Sequence, residues 1–224
     1  MNEELRKLAL AELKAKELFA AVEEFGLIAP GKSEKQVSDE IVELAKSRFG
    51  VDNFWHKKIV RAGINTLCSY SGNPPDVVIQ NDDIVILDFG PIFGGYEADL
   101  GRTYVMGHDP LKLKLKKDVE DAWYEAKGWY DKQTRLTGAE YFDYATELAR
   151  KYGWEFGGEI AGHIVGRFPH EQLAPDDLGL DVHPDNHSDI LQPDKNGNKR
   201  AWILELQFVD RVNNIGGFFE QLVK

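Results

Sequence analysis

The chain has little cysteine, fewer basic than acidic residues and no long apolar run, and each shortage excludes a class of protein. Its 224 residues include one cysteine, Cys68, so no disulfide can form within the chain, which is typical of a reducing compartment. Lys and Arg number 27 against 38 Asp and Glu, a net charge of −11, which argues against binding to nucleic acid or to an anionic membrane. No run approaches the ~18 apolar residues of a membrane span. The start, Met1–Lys7, lacks the apolar core of a signal peptide, so we expect a cytoplasmic protein.

Several common catalytic motifs are also missing. The sequence contains no Gly-x-Ser-x-Gly, no phosphate-binding loop with Gly-Lys-Ser/Thr, and no His-Glu-x-x-His. Asp88-Phe89-Gly90 is a tripeptide found in protein kinases, but the glycine-rich nucleotide loop and the His-Arg-Asp catalytic loop do not accompany it. These patterns therefore give no support to a serine hydrolase of that type, a P-loop nucleotide hydrolase or a kinase.

Hydrophobic spacing predicts two helices followed by strands, and then the same order again. The first helix carries Leu5, Leu8 and Leu13 at near-helical spacing. Capping-box patterns at Ser33 and at Thr137 mark the starts of two further helices. No linker or low-complexity segment interrupts the chain, so we expect a single α+β domain over residues 1–224. The predicted elements are helices over 2–25, 33–50, 111–135 and 137–153, strands with tight turns over 77–107, and strands after 154, the clearest over 201–210.

Four acidic side chains occur in apolar segments, where an unpaired charge is costly to bury. Asp88 ends an apolar strand, and Asp99 follows eleven positions later, past a glycine turn that can return it beside Asp88. Glu205 and Glu220 lie within apolar segments near the C-terminus. Taken singly, each has an alternative: Asp88 could cap its strand, Asp99 could pair with Arg102, and the two glutamates could lie at the rim of the sheet.

Two histidines lie seven positions apart in a glycine-flanked segment. His163 and His170 belong to Gly-His-Ile-Val-Gly-Arg-Phe-Pro-His-Glu, and either one alone could be a solvated loop histidine. Two Asp, two Glu and one His together form an oxygen-rich set with a single nitrogen ligand, and four carboxylates balance two divalent cations. Such a set suits manganese, iron, cobalt or zinc better than copper.

The same segments resemble the motifs of a known family. Residues 87–103, with Leu-Asp-Phe-Gly, Gly-Gly-Tyr and Ala-Asp-Leu-Gly-Arg-Thr, are similar to the first metal hairpin of the pita-bread metallopeptidases, which include methionine aminopeptidases, Xaa-Pro aminopeptidases, prolidases and creatinase. Residues 162–171 resemble the family's histidine motif, and Leu204-Glu205 and Phe219-Glu220 resemble its two glutamate strands. The resemblance implies a pita-bread fold, with pseudo-duplicated helix–helix–strand units around a curved antiparallel sheet.

The resemblance also implies roles for the individual residues. It implies two divalent metal ions, with manganese favoured over cobalt, iron and zinc. Glu205 would in addition carry a proton from the attacking water to the leaving amine, and His170 would hydrogen-bond the substrate. The implied metal ligands are Asp88 on one ion, His163 and Glu205 on the other, and Asp99 and Glu220 bridging both.

The implied activity is hydrolytic removal of an N-terminal residue from peptides. Asp-Phe-Gly with Gly-Tyr-x-Ala-Asp is nearer to the Xaa-Pro type, whereas the compact length and Gly-Arg-x-x-His-Glu fit the methionine type. Two alternatives remain open: the same metals acting on a small non-peptide molecule, as a creatinase-like hydrolase or a lyase, and a binding module without catalysis. The partners expected are a peptide or small-molecule substrate, with a homodimer left open.

One departure from the family concerns a histidine that usually precedes the first metal strand. No histidine lies between His56 and His108, and the corresponding region reads Cys-Ser-Tyr-Ser-Gly over residues 68–72. His56, next to Trp55, is one candidate replacement, although it lies well before that region. Only about 76 residues precede the first predicted strand at Val77, so we expect the catalytic domain alone, without the separate N-terminal domain of Xaa-Pro aminopeptidases.

Overall fold

The computed structural model of the chain describes residues 3–169, 178–193 and 197–223. Within these residues, no helix is long and apolar enough to cross a membrane. A short 3-10 turn at Gly63–Leu67 follows the first strand. The helices are α1 (Glu3–Glu24), α2 (Glu34–Phe49), α3 (Pro110–Tyr130) and α4 (Gly138–Tyr152), and the strands are β1 (Ile59–Ala62), β2 (Ile84–Phe89), β3 (Ile92–Phe93), β4 (Tyr96–Glu97), β5 (Leu100–Val105), β6 (Glu155–Phe156), β7 (Gly162–Val165), β8 (Ala201–Asp210) and β9 (Ile215–Leu222).

The helix ends follow the capping signals of the sequence. The Ser33 side chain accepts a hydrogen bond from the Gln36 backbone N–H at the start of α2, and Gly50 ends that helix in the left-handed conformation, with φ 64°. Thr137 and Glu140 form a reciprocal capping box at the start of α4. These two predictions are confirmed, whereas α3 ends at Tyr130, five residues earlier than predicted.

The apolar face of α1 differs from the predicted one. Leu13 is half exposed, and the face that packs inward runs through Leu8, Ala15, Leu18 and Val22. Those positions keep the i, i+3, i+4 and i+7 spacing of a helix that covers a sheet. The sequence therefore predicted the helix correctly and assigned Leu13 to the wrong side of it.

In the part of the chain that the structure describes, seven strands form one antiparallel sheet, in the order β1-β2-β5-β9-β8-β6, with β7 pairing to β8. The short hairpin of β3 and β4 lies off this sheet. The chain thus makes two helices and then strands, twice, and the two halves join where β5 meets β9. The prediction of a pseudo-duplicated α+β fold is confirmed, although β1 begins at Ile59, well before the first predicted strand.

One face of the sheet packs against the helices, and the other face borders a cavity. In β1 and β2 the side chains of Val60, Ala62, Val85 and Leu87 pack in one hydrophobic core with α1 and α2. A second core joins α3 and α4 to β8 and β9. Because successive side chains of a strand point to opposite faces, the alternate residues of these strands face away from the helices. Several of those residues, among them Ile59, Arg61, Ile86 and Asp88, line the cavity described below.

Thr137→Ala is expected to lower the free energy of unfolding by about 1 kcal/mol, the usual cost of losing an N-cap side chain. The Thr137 hydroxyl accepts from the Glu140 N–H at 3.1 Å, so Thr137→Ser should keep most of the stability. Urea denaturation of the three proteins measures the difference. Equal loss in both variants would show that the threonine methyl, and not the cap, is what matters.

Candidate metal centre

The register of the central strands brings the predicted carboxylates together. Asp88 in β2 pairs with Gly101 in β5, Gly101 pairs with Glu220 in β9, and Glu220 pairs with Glu205 in β8. Gly101 therefore lies between two of the acids. A Cβ atom at this position would lie 2.3 Å from the Phe218 ring and 2.9 Å from the Glu220 Cβ. Only glycine leaves room there for the side chains of β9.

Asp99 lies at the centre of the cluster. It precedes β5, at the end of the chain segment that turns back after β2, as the hairpin argument predicted. The His163 Nε2 lies 3.2 Å from the Asp99 Oδ2 and 3.5 Å from the Glu220 Oε1. On its other side, the Asp99 Oδ1 lies 3.0 Å from the His56 Nε2. Asp99 is thus shared by two groups of side chains that could each hold a cation, one with His163 and Glu220 and one with His56 and Asp88.

His56 is the site residue that the sequence offered only as one candidate replacement for the upstream histidine. Its Nε2 contacts both Asp99, at 3.0 Å, and Asp88, at 3.5 Å, and its side chain is buried. A Cβ at Gly90 would lie 2.2 Å from the His56 ring and 2.4 Å from the Trp55 indole, so the glycine of Asp-Phe-Gly makes room for this histidine. His56 lies three residues before β1, and the pairing of β1 with the strand of Asp88 brings it to the site.

The alternatives considered for the single residues do not hold for Asp99. Arg102 makes no ion pair with it in the part of the chain described. Its guanidinium donates instead to the backbone oxygens of Gly101 and Glu220 and to the Gln221 side chain, and it packs over the Phe219 ring. The charge of Asp99 is therefore met by the two histidines.

Unpartnered buried atoms test whether the cluster fits divalent cations. The Nδ1 of His56, the Oδ1 of Asp88 and the Oε2 of Glu220 are buried with no hydrogen-bond partner among the described residues. Such atoms are rare in folded proteins, because each loses hydration without compensation. Carboxylate oxygens with imidazole nitrogen are ligands of manganese, iron, cobalt and zinc. The residues present therefore fit the divalent cations that the cluster suggests.

Burial and mutual repulsion shift the pKa values of the acids. Burial, opposed by His56 and aided by the Asp99 charge, raises the pKa of Asp88 to about 7. Burial with the charges of Asp99 and Asp88 raises the pKa of Glu220 to about 8. Burial with the neighbouring Glu220 carboxylate holds the pKa of Glu205 well above its usual range. Asp99 differs, because the two histidines outweigh the effect of burial and lower its pKa.

The pKa values of the two histidines are raised, whereas burial alone lowers the pKa of an imidazole. Burial alone would lower their pKa values, but the carboxylates of Asp99 and Asp88 raise the pKa of His56 to about 10. Hydrogen bonds to Asp99 and Glu220 raise the pKa of His163 well above its usual value. Without cations, the cluster therefore holds protons at neutral pH on groups that must lose them to bind a metal.

The cluster opens into a cavity of about 430 Å³. Glu205 and Glu220 line it from neighbouring strands, together with Trp55, Tyr70 and Phe218. Such a volume is in the range of small-molecule and short-peptide sites. All five predicted metal ligands, Asp88, Asp99, His163, Glu205 and Glu220, lie in its wall, and His170 lies outside the described residues.

Comparisons with known proteins show the family to which the chain is similar. The sequence pattern of the family described as metallopeptidase family M24 matches residues 6–196. The uncharacterized peptidase YqhT of Bacillus subtilis is 32% identical over 196 residues, 86% of this chain and 51% of the relative. An Xaa-Pro dipeptidase of Pyrococcus horikoshii is 28% identical over 163 residues, 71% of this chain and 44% of the relative. This chain thus spans about half the length of these curated relatives.

Solved structures show the same fold. The methionine aminopeptidase of Thermotoga maritima is similar with a TM-score of 0.73 at 18% identity, covering 99% of this chain and 92% of that chain. The fold is therefore the pita-bread fold that the sequence motifs predicted.

Metal affinity is expected to rise with pH between 6 and 9. In the metal-free protein Asp88 and Glu220, with pKa values of about 7 and 8, are protonated below this range and must lose their protons on binding. Each such group adds up to about tenfold in affinity per pH unit. Manganese titrations by calorimetry, in buffers of different ionisation enthalpy, measure affinity and proton release together. A constant affinity across this range would contradict the assignment of these acids.

Proposed function

The chain belongs to metallopeptidase family M24, and on that premise we propose that it is a dinuclear metal-dependent aminopeptidase, with the Xaa-Pro type favoured. The observation that carries the proposal is the pair of acid and histidine groups that share Asp99 in one wall of a cavity. The Xaa-Pro dipeptidase relative and the Gly-Tyr-x-Ala-Asp sequence support the Xaa-Pro type. We also propose that residues 1–224 form one catalytic domain.

Five residues are proposed as metal ligands. As the family resemblance implies, Asp99 and Glu220 would be ligands of both ions. Asp99 belongs to both groups of side chains, and Glu220 contacts His163 in one of them. Bound divalent ions of this kind lower the pKa of a water molecule and polarise a carbonyl group. Manganese is the proposed metal. The proposed ligands are Asp88, Asp99, His163, Glu205 and Glu220.

His56 is proposed to orient Asp99. Its Nε2 lies 3.0 Å from the Asp99 Oδ1, so an N–H at that nitrogen fixes the direction of the carboxylate. Hydrogen bonds of this type to a ligating group commonly contribute 10–100-fold to metal affinity or activity. His56 would thereby occupy the site that the missing upstream histidine left open.

Glu205 is proposed as the proton carrier. Its carboxylate would take a proton from the attacking water and pass it to the nitrogen of the leaving amine. A positioned carboxylate is a common carrier of protons in catalysis. His170 is proposed to donate a hydrogen bond to the substrate, as the family resemblance implies.

Asp99→Ala is expected to remove metal binding and to lower activity by more than about 100-fold, beyond the usual effect of a residue that only supports a ligand. Metal content by atomic emission and turnover of the same sample test this, with circular dichroism to check folding. Asp39→Ala is the matched control, because Asp39 is an exposed acid on the surface of α2 that forms an ion pair with Lys35. Full metal content in the Asp99 variant would refute the site.

A peptide panel tests the activity itself. We expect release of the residue before proline from Xaa-Pro peptides in the presence of manganese, and no release after a chelator is added. Peptides with N-terminal methionine, and peptides with neither feature, are the comparison. Release from the methionine peptides alone would assign the methionine type. Bound metal with no peptide cleaved would point to a non-peptide substrate, and no bound metal would point to a binding module.

A further inference from the structure

Arg61 is a buried cation in the cavity wall that the proposed mechanism does not use. It is only 7% exposed and lines the cavity together with Asp88. Its Nη1 donates to the Cys68 backbone oxygen at 2.6 Å and its Nη2 to the Gly72 backbone oxygen at 3.0 Å. No ion pair joins Arg61 to a carboxylate within residues 3–169, 178–193 and 197–223. Burial lowers the pKa of the Arg61 guanidinium, yet an arginine remains charged.

The carboxylates of Asp88, Glu34 and Glu159 act on Arg61 only at longer range. A buried charge without a direct ionic partner is unfavourable, so its retention in a cavity wall needs an explanation. The alternate residues of β1, Val60 and Ala62, pack in the helix-covered core. Because successive side chains of a strand point to opposite faces, Arg61 and Ile59 face the cavity. An apolar residue there would cost less to bury and would still complete the wall.

The strand register fixes the place of Arg61 relative to the metal ligands. Ile59 pairs with Asp88, and Arg61 pairs with Ile86. Arg61 is thus one strand across and two residues along from Asp88, on the same face. With about 4.8 Å between strands and about 3.4 Å per residue, the two Cα atoms are roughly 8 Å apart. Two residues of extended peptide, at about 3.5 Å each, cover about 7 Å of that distance, and the length of the arginine side chain shortens the part that the substrate must span.

We propose that Arg61 binds a carboxylate of the substrate, one or two residues from the reacting carbonyl, and so selects acidic substrates. This inference rests on the proposed function and names a substrate class for it. A guanidinium presents a planar pair of N–H donors that matches a carboxylate. The carboxylate can come from two sources: the free C-terminus of a short peptide or the side chain of an acidic residue that follows the cleaved bond.

Arg61 also contacts the segment 68–72, and a purely structural role there would make a different prediction. Gln207 holds the same segment, because its Nε2 donates to the backbone oxygens of Thr66 and Cys68 at 3.0 and 3.2 Å. Gln207 carries no charge. Gln207→Leu is therefore a matched control, which loosens the segment and leaves the cation in place.

The experiment uses the manganese-loaded protein and matched probes. Alanyl-proline and its C-terminal amide test the terminal carboxylate, and alanyl-aspartate amide and alanyl-asparagine amide test the side-chain carboxylate. For wild type we expect kcat/KM for one of the two acidic probes, alanyl-proline or alanyl-aspartate amide, to exceed that for its matched neutral probe by at least about tenfold. A hydrogen bond between charged groups provides a difference of this size. In Arg61→Met that preference should disappear, mainly through a higher KM, and Arg61→Lys should keep part of it. Gln207→Leu should keep the full preference.

Binding to the same loaded protein separates this inference from the proposed activity. Calorimetric affinities for the four probes are measured in wild type and Arg61→Met, so the test does not depend on turnover. An acid preference in binding that Arg61→Met abolishes supports the role of Arg61, even if no probe is cleaved. Equal affinity of wild type for acids and neutral partners overturns it. An equal loss for all probes in Arg61→Met, matched by Gln207→Leu, also overturns it and assigns Arg61 to the segment 68–72 alone.

Discussion

The rest of the site depends on the electrostatic balance around Asp99. This carboxylate lies between the imidazoles of His56 and His163, and three further acids lie close by on β2, β8 and β9. So many like charges can share a buried space only if cations or protons balance them. The raised pKa values of Asp88 and Glu220 show the balance reached with protons. Divalent cations would provide the same balance with the acids ionised, which is why the cluster suits them.

The sheet makes this crowding possible. Each acid lies on a strand or next to one, and the opposite face of the same strands carries the apolar residues that pack against the helices. Burial of apolar residues in the two cores, on the far side of the backbone, thus offsets the unfavourable free energy of holding the acids together. Gly90 and Gly101 leave space for the site because they have no side chain. A side chain at Gly90 would overlap His56, and one at Gly101 would overlap Phe218 and Glu220.

The cavity wall carries the cluster of acids and, in another part, the buried Arg61, which interacts electrostatically with Glu159. The acids are grouped near Asp99, while Arg61 lies one strand further toward the edge of the sheet. Apolar side chains, among them Ile59 and Ile86, lie between these two regions. A ligand that carries a carboxylate beside its reacting group would match this order of charges, which links the proposed chemistry to the proposed choice of substrate.

The sequence by itself determined the helices, the α+β class and the acids of the site. Capping residues and apolar spacing are local signals, and an acid within an apolar strand is visible in one line of sequence, as Asp88 and Glu205 show. The tertiary structure decided which face of α1 is buried and what lies beside the acids. Leu13 and His56 are the two examples. The exposure of Leu13 depends on how α1 packs on the sheet, and the position of His56 depends on the pairing of β1 with β2. Both are contacts between residues distant in the chain, for which spacing along the sequence carries no information.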